Sequence, residues 1–264
     1  MPQKYQTGFL PEPPSSKVYL SFETHLRPLL RCTPRFPTRD LTSVDMRPLS
    51  ASRRNQGQTR SCVAHAVAKA LEVRQASQVG VRHVTPLSVL EVYYLAREIM
   101  FPKQNGMDLG TFISHACDAA RRFGVCPEVD WPFDPSQINV SPTWHAMRHA
   151  YQNRAAAFYK IESTGEERVA AVKDALTHSY PVIIGTDVGD NWQSCESGQV
   201  IGVCPNPTDK HGTTLLGYTS AGLLIGENSW GDDWGDHGFY LMDSAVIASD
   251  QTYEAWVVTR EAEG

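Results

Sequence analysis

Residues 55–71, N-Q-G-Q-T-R-S-C-V-A-H-A-V-A-K-A-L, change at Ser61 from a polar turn containing Gly57 into a run of helix-forming residues. Neither Gly nor Pro interrupts this run before Gly80. Its apolar residues surround most of the helix circumference, which is typical of a buried helix. Cys62 lies in the first turn, where the positive end of the helix dipole favours an anion, so its thiol is expected to have a lowered pKa. The stretch predicts a nucleophilic cysteine, and a buried helix that merely begins with Cys is the alternative.

Length and composition are those of an ordinary globular chain. The 264 residues are enough for a full core and two lobes, and 41% of them are hydrophobic and 20% charged. A formal net charge of −5 gives no reason to expect a nucleic-acid partner. No run reaches the ~18 apolar residues of a membrane span, and no standard secretory signal is visible. We therefore predict neither a nucleic-acid nor a membrane partner, and leave localisation open between the cytoplasm and export by a non-standard route.

The six cysteines, at positions 32, 62, 117, 126, 195 and 204, are too sparse for a disulfide scaffold. Cys117/Cys126 and Cys195/Cys204 would form bridges in an oxidising compartment, but free buried thiols are the favoured interpretation. The chain contains neither C-x-x-C nor H-E-x-x-H. The sequence therefore predicts no metal site and no cofactor.

The first forty residues differ in composition from the rest of the chain. They hold seven of the seventeen prolines, which excludes long regular helices. Six basic and three acidic side chains give this segment a charge of +3. Because the whole chain carries −5, the remaining residues carry −8. Apolar residues such as Phe22, Leu26 and Leu30 are more numerous than a free tail needs. We expect residues 1–40 to dock onto the acidic body, with a disordered tail as the alternative.

Helical patterns come first in the remaining chain and strand patterns follow. Helices are predicted at about 61–79, 86–100, 108–124, from 141, and at 165–179, where Thr164 and Glu167 form a capping-box pattern. Strands are predicted at 181–188, 199–203, 213–219, 222–228, 238–243 and 253–259. This order predicts an α+β fold, with a helical lobe at 41–155, a β lobe at 156–264 and a site in the cleft between them.

Two segments of the second half supply partners for a cysteine nucleophile. Residues 209–213, D-K-H-G-T, carry His211 into a strand, and residues 227–239, E-N-S-W-G-D-D-W-G-D-H-G-F, carry Asn228. A cysteine nucleophile needs a base to take its proton, and an imidazole can do this. The amide oxygen of Asn228 can accept from that imidazole and fix its ring.

These segments resemble those of the papain-like cysteine peptidases. N-Q-G-x-x-x-S-C at 55–62 is similar to the nucleophile segment of that family, H-G-x-x-x-x-G-Y at 211–218 to its histidine segment, and N-S-W-G-x-x-W-G-x-x-G-F at 228–239 to its asparagine segment. The 149 residues from Cys62 to His211 fall within the ~130–150 typical of the family. The resemblance implies a two-lobe fold, in which a helical lobe and an antiparallel β-barrel lobe face each other across the active-site cleft.

The resemblance also implies the catalytic roles. Cys62 would be the nucleophile, His211 the base and acid, and Asn228 the residue that orients His211. Gln56 would donate to the oxyanion hole beside the backbone N–H of Cys62. The implied activity is hydrolysis of a peptide or protein substrate through a thioester intermediate. We expect a monomer that acts as an endopeptidase, with trimming of chain ends left open as the alternative.

Three further residues would bind substrate. The backbone of Gly110 would pair with an extended substrate, although the local alignment slips by one residue, and Trp234 would lie on the leaving-group side. Arg60 replaces a glycine of the family, and Thr59 replaces a disulfide cysteine. Arg60 would narrow the cleft or bind an acidic or C-terminal group, and a solvated surface arginine is an equally favoured alternative.

The long inhibitory pro-domain of the family is not seen, so self-inhibition is expected from residues 1–40. Cys32 in this tail is a hypothetical disulfide partner of Cys62, with a free thiol as the favoured alternative. His65 shares a helical stripe with Cys62 and is expected to be a buried, hydrogen-bonded histidine, whereas His237 is expected to be exposed. Two other functions stay open: an acyl transferase or isopeptidase on the same scaffold, and a catalytically silent binding homologue.

Overall fold

The computed structural model describes residues 4–13, 19–32, 42–102, 106–152 and 157–259. A π-helical turn at Phe22–Leu26 precedes the first α-helix. The α-helices are α1 Arg27–Cys32, α2 Cys62–Val79, α3 Val89–Met100, α4 Ile113–Phe123, α5 Trp144–Gln152, α6 Gly165–Thr177, α7 Asp190–Gln193 and α8 Ser244–Ala248. The strands are β1 Val44–Asp45, β2 Phe158–Lys160, β3 Val182–Val188, β4 Val200–Ile201, β5 Asp209–Tyr218, β6 Leu224–Glu227, β7 Phe239–Met242 and β8 Thr252–Val258.

Helix α2 is the centre of the helical lobe. It begins at Cys62 and ends before Gly80, whose φ of 86° is open to glycine and strained for other residues. Helices α3 and α4 pack on it, and α5 packs on α4. Even its polar residues His65 and Lys69 are buried. The prediction of a buried helix that starts at the cysteine is confirmed.

The strands form one sheet with the order β2-β8-β3-β5-β6-β7-β4, and β1 pairs with β5 beside this path. All neighbouring pairs are antiparallel except β4 and β7. The α+β fold is confirmed. The barrel that the resemblance implies is an open one, because β2 and β4 stand at opposite ends of the order and do not pair within the described residues.

Local capping moves several helix boundaries from their predicted positions. Helix α3 begins at Val89 instead of 86, because the Ser88 hydroxyl accepts the Glu91 N–H at 3.2 Å. Helix α4 begins at Ile113 instead of 108, because the chain before it runs extended beside the tail. Thr164 is the N-cap of α6 but makes no side-chain capping hydrogen bond, so the predicted capping box does not form.

Two hydrophobic clusters make up most of the core, and the tail contributes to both. Phe22, Leu26 and Leu30 pack with α6, β3 and β5, whereas Phe9 packs with α2, α4 and Ile183. The described parts of the tail therefore dock onto the body, as predicted. The division of the chain at 40 and 155 stays a prediction. Strand β1 lies within the range predicted for the helical lobe, yet it pairs with β5 of the sheet.

The structure also bears on the cysteines and on the question of a membrane-spanning helix. Cys117, Cys126, Cys195 and Cys204 are buried free thiols. The side chain of Cys32 lies outside the described residues, so a Cys32–Cys62 disulfide stays a hypothesis. None of the described helices combines the length and apolar character needed to traverse a lipid bilayer.

Candidate active site

Cys62 stands where helix α2 meets strand β5. Its Sγ accepts the backbone N–H of Gly212 at 3.4 Å, and the residue is completely buried. A Cβ atom on Gly212 would lie 2.9 Å from Cγ2 of Val63. The glycine that follows His211 therefore allows the helical lobe to bring the cysteine against the strand that carries the histidine.

His211 and Asn228 meet across two antiparallel strands. His211 lies in β5, and Asn228 directly follows β6, which pairs with β5. Nε2 of His211 lies 2.7 Å from Oδ1 of Asn228, and both side chains are buried. Because an amide oxygen only accepts, Nε2 carries the proton, and Nδ1 of the neutral ring is a proton acceptor. Nδ1 makes no hydrogen bond within the described residues and is thus available to a neighbouring thiol.

The indole of Trp230 covers this pair. Its ring centroid lies 4.6 Å from that of His211, and only 2% of the residue is exposed. Tyr5 of the tail stacks on Trp230 at 4.9 Å, and the Trp230 indole N–H donates to the carbonyl oxygen of Gln6 at 2.9 Å. Water is therefore excluded from the bond between His211 and Asn228.

Trp234 lies behind this layer instead of facing the tail. It is 2% exposed, and its indole N–H donates to the carbonyl oxygen of Trp192 at 2.9 Å. The aromatic residues beside His211 are Trp230 and Trp192, at 4.6 and 6.1 Å between ring centroids. In the sequence, Trp230 stands two residues after Asn228, and this position indicates that its indole can cover the bond between Asn228 and His211. Trp192 belongs to no motif and was not found.

Gln56 is held in one orientation by two partners. Its Oε1 accepts from the Ser229 hydroxyl at 2.6 Å, and its Nε2 donates to the Thr59 carbonyl oxygen at 2.8 Å. The backbone N–H of Gln56 also donates to the carbonyl oxygen of Ser229 at 2.8 Å. The side-chain nitrogen carries two hydrogens, so one remains for a further acceptor.

The tail crosses this site as an extended strand. The N–H of Thr111 donates to the Gly8 carbonyl oxygen at 3.0 Å, and the N–H of Leu10 donates to the Thr111 carbonyl oxygen at 3.1 Å. Phe9 and Thr111 therefore form a parallel bridge. The residue that pairs with an extended chain here is Thr111, one position after Gly110.

Glycines permit the tail to lie this close. A Cβ atom on Gly110, whose φ is 80°, would collide with the carbonyl oxygen of Gly8. A Cβ atom on Gly8 would collide with the carbonyl oxygen of Arg60. Arg60 is exposed, and its backbone N–H donates to both carboxylate oxygens of Asp108 at 3.1 and 2.9 Å. The backbone of Arg60, and not its charge, borders the tail.

Burial keeps the cysteine and the histidine uncharged. It raises the pKa of the Cys62 thiol to about 12. It lowers the pKa of His211 to about 4, against the opposing effect of the hydrogen bond to Asn228. The prediction of a lowered cysteine pKa is wrong for this tail-covered state, because the loss of water outweighs the helix dipole.

The other two histidines of these motifs lie where they were expected. Nδ1 of His65 lies 3.1 Å from the Ser61 carbonyl oxygen, and burial lowers the pKa of His65 to about 3. His65 is thus a neutral structural histidine. His237 is exposed.

Comparisons with known proteins agree with this geometry. Residues 41–255 match the family described as papain family cysteine protease. The chain is 26% identical over 231 residues to an uncharacterized peptidase C1-like protein of Acanthamoeba polyphaga mimivirus, covering 83% of this chain and 73% of the relative. It is 27% identical over 217 residues to Cysteine protease 1 of Oryza sativa subsp. japonica, covering 78% of this chain but 41% of that protein.

One solved structure has a similar fold along nearly the whole chain. Xylellain, a cysteine protease from Xylella fastidiosa that the sequence motifs also suggested as a relative, superposes with a TM-score of 0.78. Its sequence is 20% identical, and the match covers 98% of this chain and 97% of xylellain. At that identity the likeness is one of fold.

Proposed function

Because this chain belongs to the papain family of cysteine proteases, we propose that it hydrolyses peptide bonds with Cys62 as nucleophile, His211 as base and acid, and Asn228 as the orienting residue. One observation carries the assignment. Nε2 of His211 is engaged by Asn228 at 2.7 Å, while the next residue along the strand contacts Sγ of Cys62 through its N–H. A histidine oriented by an amide therefore stands beside a buried thiol.

The chemistry follows from these positions. Sγ of Cys62 attacks the carbonyl carbon of the scissile bond, and Nδ1 of His211 takes the thiol proton. His211 then gives this proton to the leaving nitrogen, the C–N bond breaks, and a thioester remains on Cys62. Water, deprotonated by His211, attacks the thioester, and the S–C bond breaks to release the acid and restore the thiol.

The negative oxygen of each tetrahedral intermediate needs donors that are already in place. Two are expected: the second side-chain N–H of Gln56 and the backbone N–H of Cys62, which stands at the start of α2. Ser229 and Thr59 hold the Gln56 amide, so little reorganisation is needed as charge develops.

We further propose that the tail inhibits the enzyme. The backbone of Gly8 lies close enough to Cys62 to oppose, as a minor effect, the rise in its thiol pKa, and the Gly8 carbonyl oxygen accepts from the Thr111 N–H at 3.0 Å. The tail thus occupies the cleft beside the buried thiol, where it would block a substrate and, by excluding water, favour the protonated form of Cys62.

The tail also supports a choice among the substrate-binding candidates. Tyr5 and Gln6 contact Trp230, whereas Trp234 is packed behind it. We therefore assign the leaving-group side of the cleft to Trp230 in place of Trp234. Gly110 leaves room for the backbone of the segment bound in the cleft, whether tail or substrate, and Thr111 forms the hydrogen bonds to that backbone.

Hydrolysis of fluorogenic peptides in reducing buffer tests the catalytic assignment. The tail should first be displaced by Gly8→Val, because a side chain there collides with Arg60. We expect this variant to cleave and its Cys62→Ala derivative to be inactive. If Cys62 reacts with a thiol-directed epoxide but no peptide is cut, peptide hydrolysis is excluded. Mass spectrometry with an added amine then shows whether acyl transfer takes its place.

A further inference from the structure

Asp130, His145 and His149 form a cluster outside the site described above. Helix α5 carries the two histidines four residues apart, so they share one face of the helix. Nδ1 of His149 lies 2.7 Å from Oδ2 of Asp130, and Nε2 of His145 lies 3.5 Å from Oδ1 of the same carboxylate. One ligand atom from each residue can be chosen so that all three lie within 4.8 Å of one another.

We propose that these three residues bind a divalent transition-metal ion of the Zn²⁺ type. Two imidazole nitrogens and one carboxylate oxygen are a donor set that such ions accept, and water completes the coordination. Bonds of ~2.0–2.2 Å to the metal place neighbouring ligand atoms roughly 3–3.5 Å apart. The 2.7 and 3.5 Å separations, which run to different oxygens of Asp130, are close to this range. The His145 side chain is 66% exposed and can rotate to complete the site.

The arrangement fits a metal better than two separate ion pairs. The two imidazole rings lie 4.2 Å apart between centroids and approach opposite oxygens of one carboxylate. A single ion placed between the two rings would contact one nitrogen of each ring and one oxygen of the carboxylate at once.

The surrounding structure holds the ligands in place. The N–H of Asp130 donates to the Pro127 carbonyl oxygen at 3.0 Å, and the carbonyl oxygen of the next residue, Trp131, accepts from the Ser88 hydroxyl at 2.7 Å. On the helix, Ala146 and Ala150 are buried against Cys126. A bound ion would therefore join α5 to a turn that is anchored to the start of α3, and would stabilise the helical lobe.

Calorimetric titration of the untagged full chain with Zn²⁺ tests the site. The parent protein for all variants should carry Cys62→Ser, because Cys62 and His211 would otherwise also bind Zn²⁺. We expect one ion per chain, with affinity at least about tenfold weaker in His145→Ala and in His149→Ala. Arg148→Ala, on an exposed residue of the same helix, should leave the affinity unchanged. Absence of stoichiometric binding in the parent, or binding that both histidine variants retain, would overturn the site.

Spectra with Co²⁺ identify the ligands independently. Nitrogen and oxygen ligands give d–d bands alone, whereas a thiolate-to-cobalt charge-transfer band would show that a cysteine holds the ion and would overturn the assignment. Zn²⁺ should also raise the thermal unfolding midpoint of the parent but not that of His149→Ala, with circular dichroism confirming that both are folded. Because the parent lacks the catalytic thiol, these outcomes are independent of the proposed peptidase activity.

Discussion

The aromatic ring of Phe9 fills the space that a side chain on Gly185 would need. Gly185 is a buried residue of β3, and its missing side chain opens a pocket beside Tyr253, whose ring lies 6.1 Å from that of Phe9. Phe9 is 2% exposed there. The tail is thus anchored by the Phe9 side chain in a pocket of the sheet, between Gly8 and Leu10, whose backbones both hydrogen-bond to Thr111.

Displacing the tail should activate the enzyme. Gly8→Val forces a side chain against the Arg60 carbonyl, and such overpacking costs about 1–3 kcal/mol. Since 1.4 kcal/mol is tenfold in an equilibrium, peptide hydrolysis should rise by roughly tenfold or more. Initial rates on a fluorogenic peptide measure this. Gly202→Val, at a glycine with open space around it, should leave the rate unchanged, and equal rates for both variants would contradict inhibition by the tail.

The Phe9 pocket should select substrates. In the Gly8→Val background, Gly185→Ala narrows the pocket, so cleavage of peptides with Phe in the pocket should fall relative to peptides with Ala there. One carbon in an apolar pocket is worth about 10–200-fold in discrimination. The ratio of kcat/KM for two matched peptides reports it. An unchanged ratio would mean that substrate side chains do not enter the pocket used by Phe9.

The reactivity of Cys62 should depend on pH differently with and without the tail. A pKa raised to about 12 means that the thiol stays protonated until the pH approaches that value, so alkylation of the full chain should be slow at pH 7 and rise throughout the alkaline range. When water returns in Gly8→Val, burial no longer raises the pKa, and alkylation should be fast at neutral pH. The modified fraction is read from the tryptic peptide 61–69. Identical profiles would show that the tail does not control the thiol.

Removing the Gln56 amide should slow the chemical step more than binding. A donor to a developing oxyanion contributes about 10²–10³ in kcat, so Gln56→Ala in the Gly8→Val background should lose activity of that order with KM nearly unchanged. Gln58→Ala, at a nearby exposed glutamine, is the control. A change confined to KM would instead assign Gln56 to substrate binding.

Lys69 should be important for stability because it joins the two lobes by a buried charge. Its Nζ lies 3.1 Å from Oε1 of Glu227, and the two side chains are 5% and 2% exposed. Removing Lys69 leaves the buried Glu227 carboxylate with a longer contact, of 3.7 Å, to Arg53. Breaking a buried pair costs about 3–5 kcal/mol, so Lys69→Met should lower the free energy of unfolding by up to that amount. Urea unfolding measures the loss. Arg121→Ala removes a half-exposed partner of Asp118, which keeps its pair with Arg122, so the loss should be below about 1 kcal/mol. An equally small loss for Lys69→Met would refute this role.

Much of the fold was predictable because its signals are local. The apolar pattern after Ser61 specifies a buried helix, and Gly80 and Gly124 end their helices through backbone conformations that other residues rarely adopt. The sheet was predicted strand by strand from short apolar runs between turns. That the sheet stays open was not predicted, because whether two edge strands meet depends on the twist accumulated over the whole sheet and not on either strand.

The sequence by itself determined which residues carry the proposed chemistry, since Cys62, His211, Asn228 and Gln56 stand in ordered motifs at characteristic spacings. Only the tertiary structure decided the charge state of Cys62 and His211, because burial raises the pKa of Cys62 and lowers that of His211. It also decided that Trp230 faces the tail and that Asp130 meets two histidines of α5. Contacts and loss of water are set by segments distant in the chain, and a local pattern does not contain them.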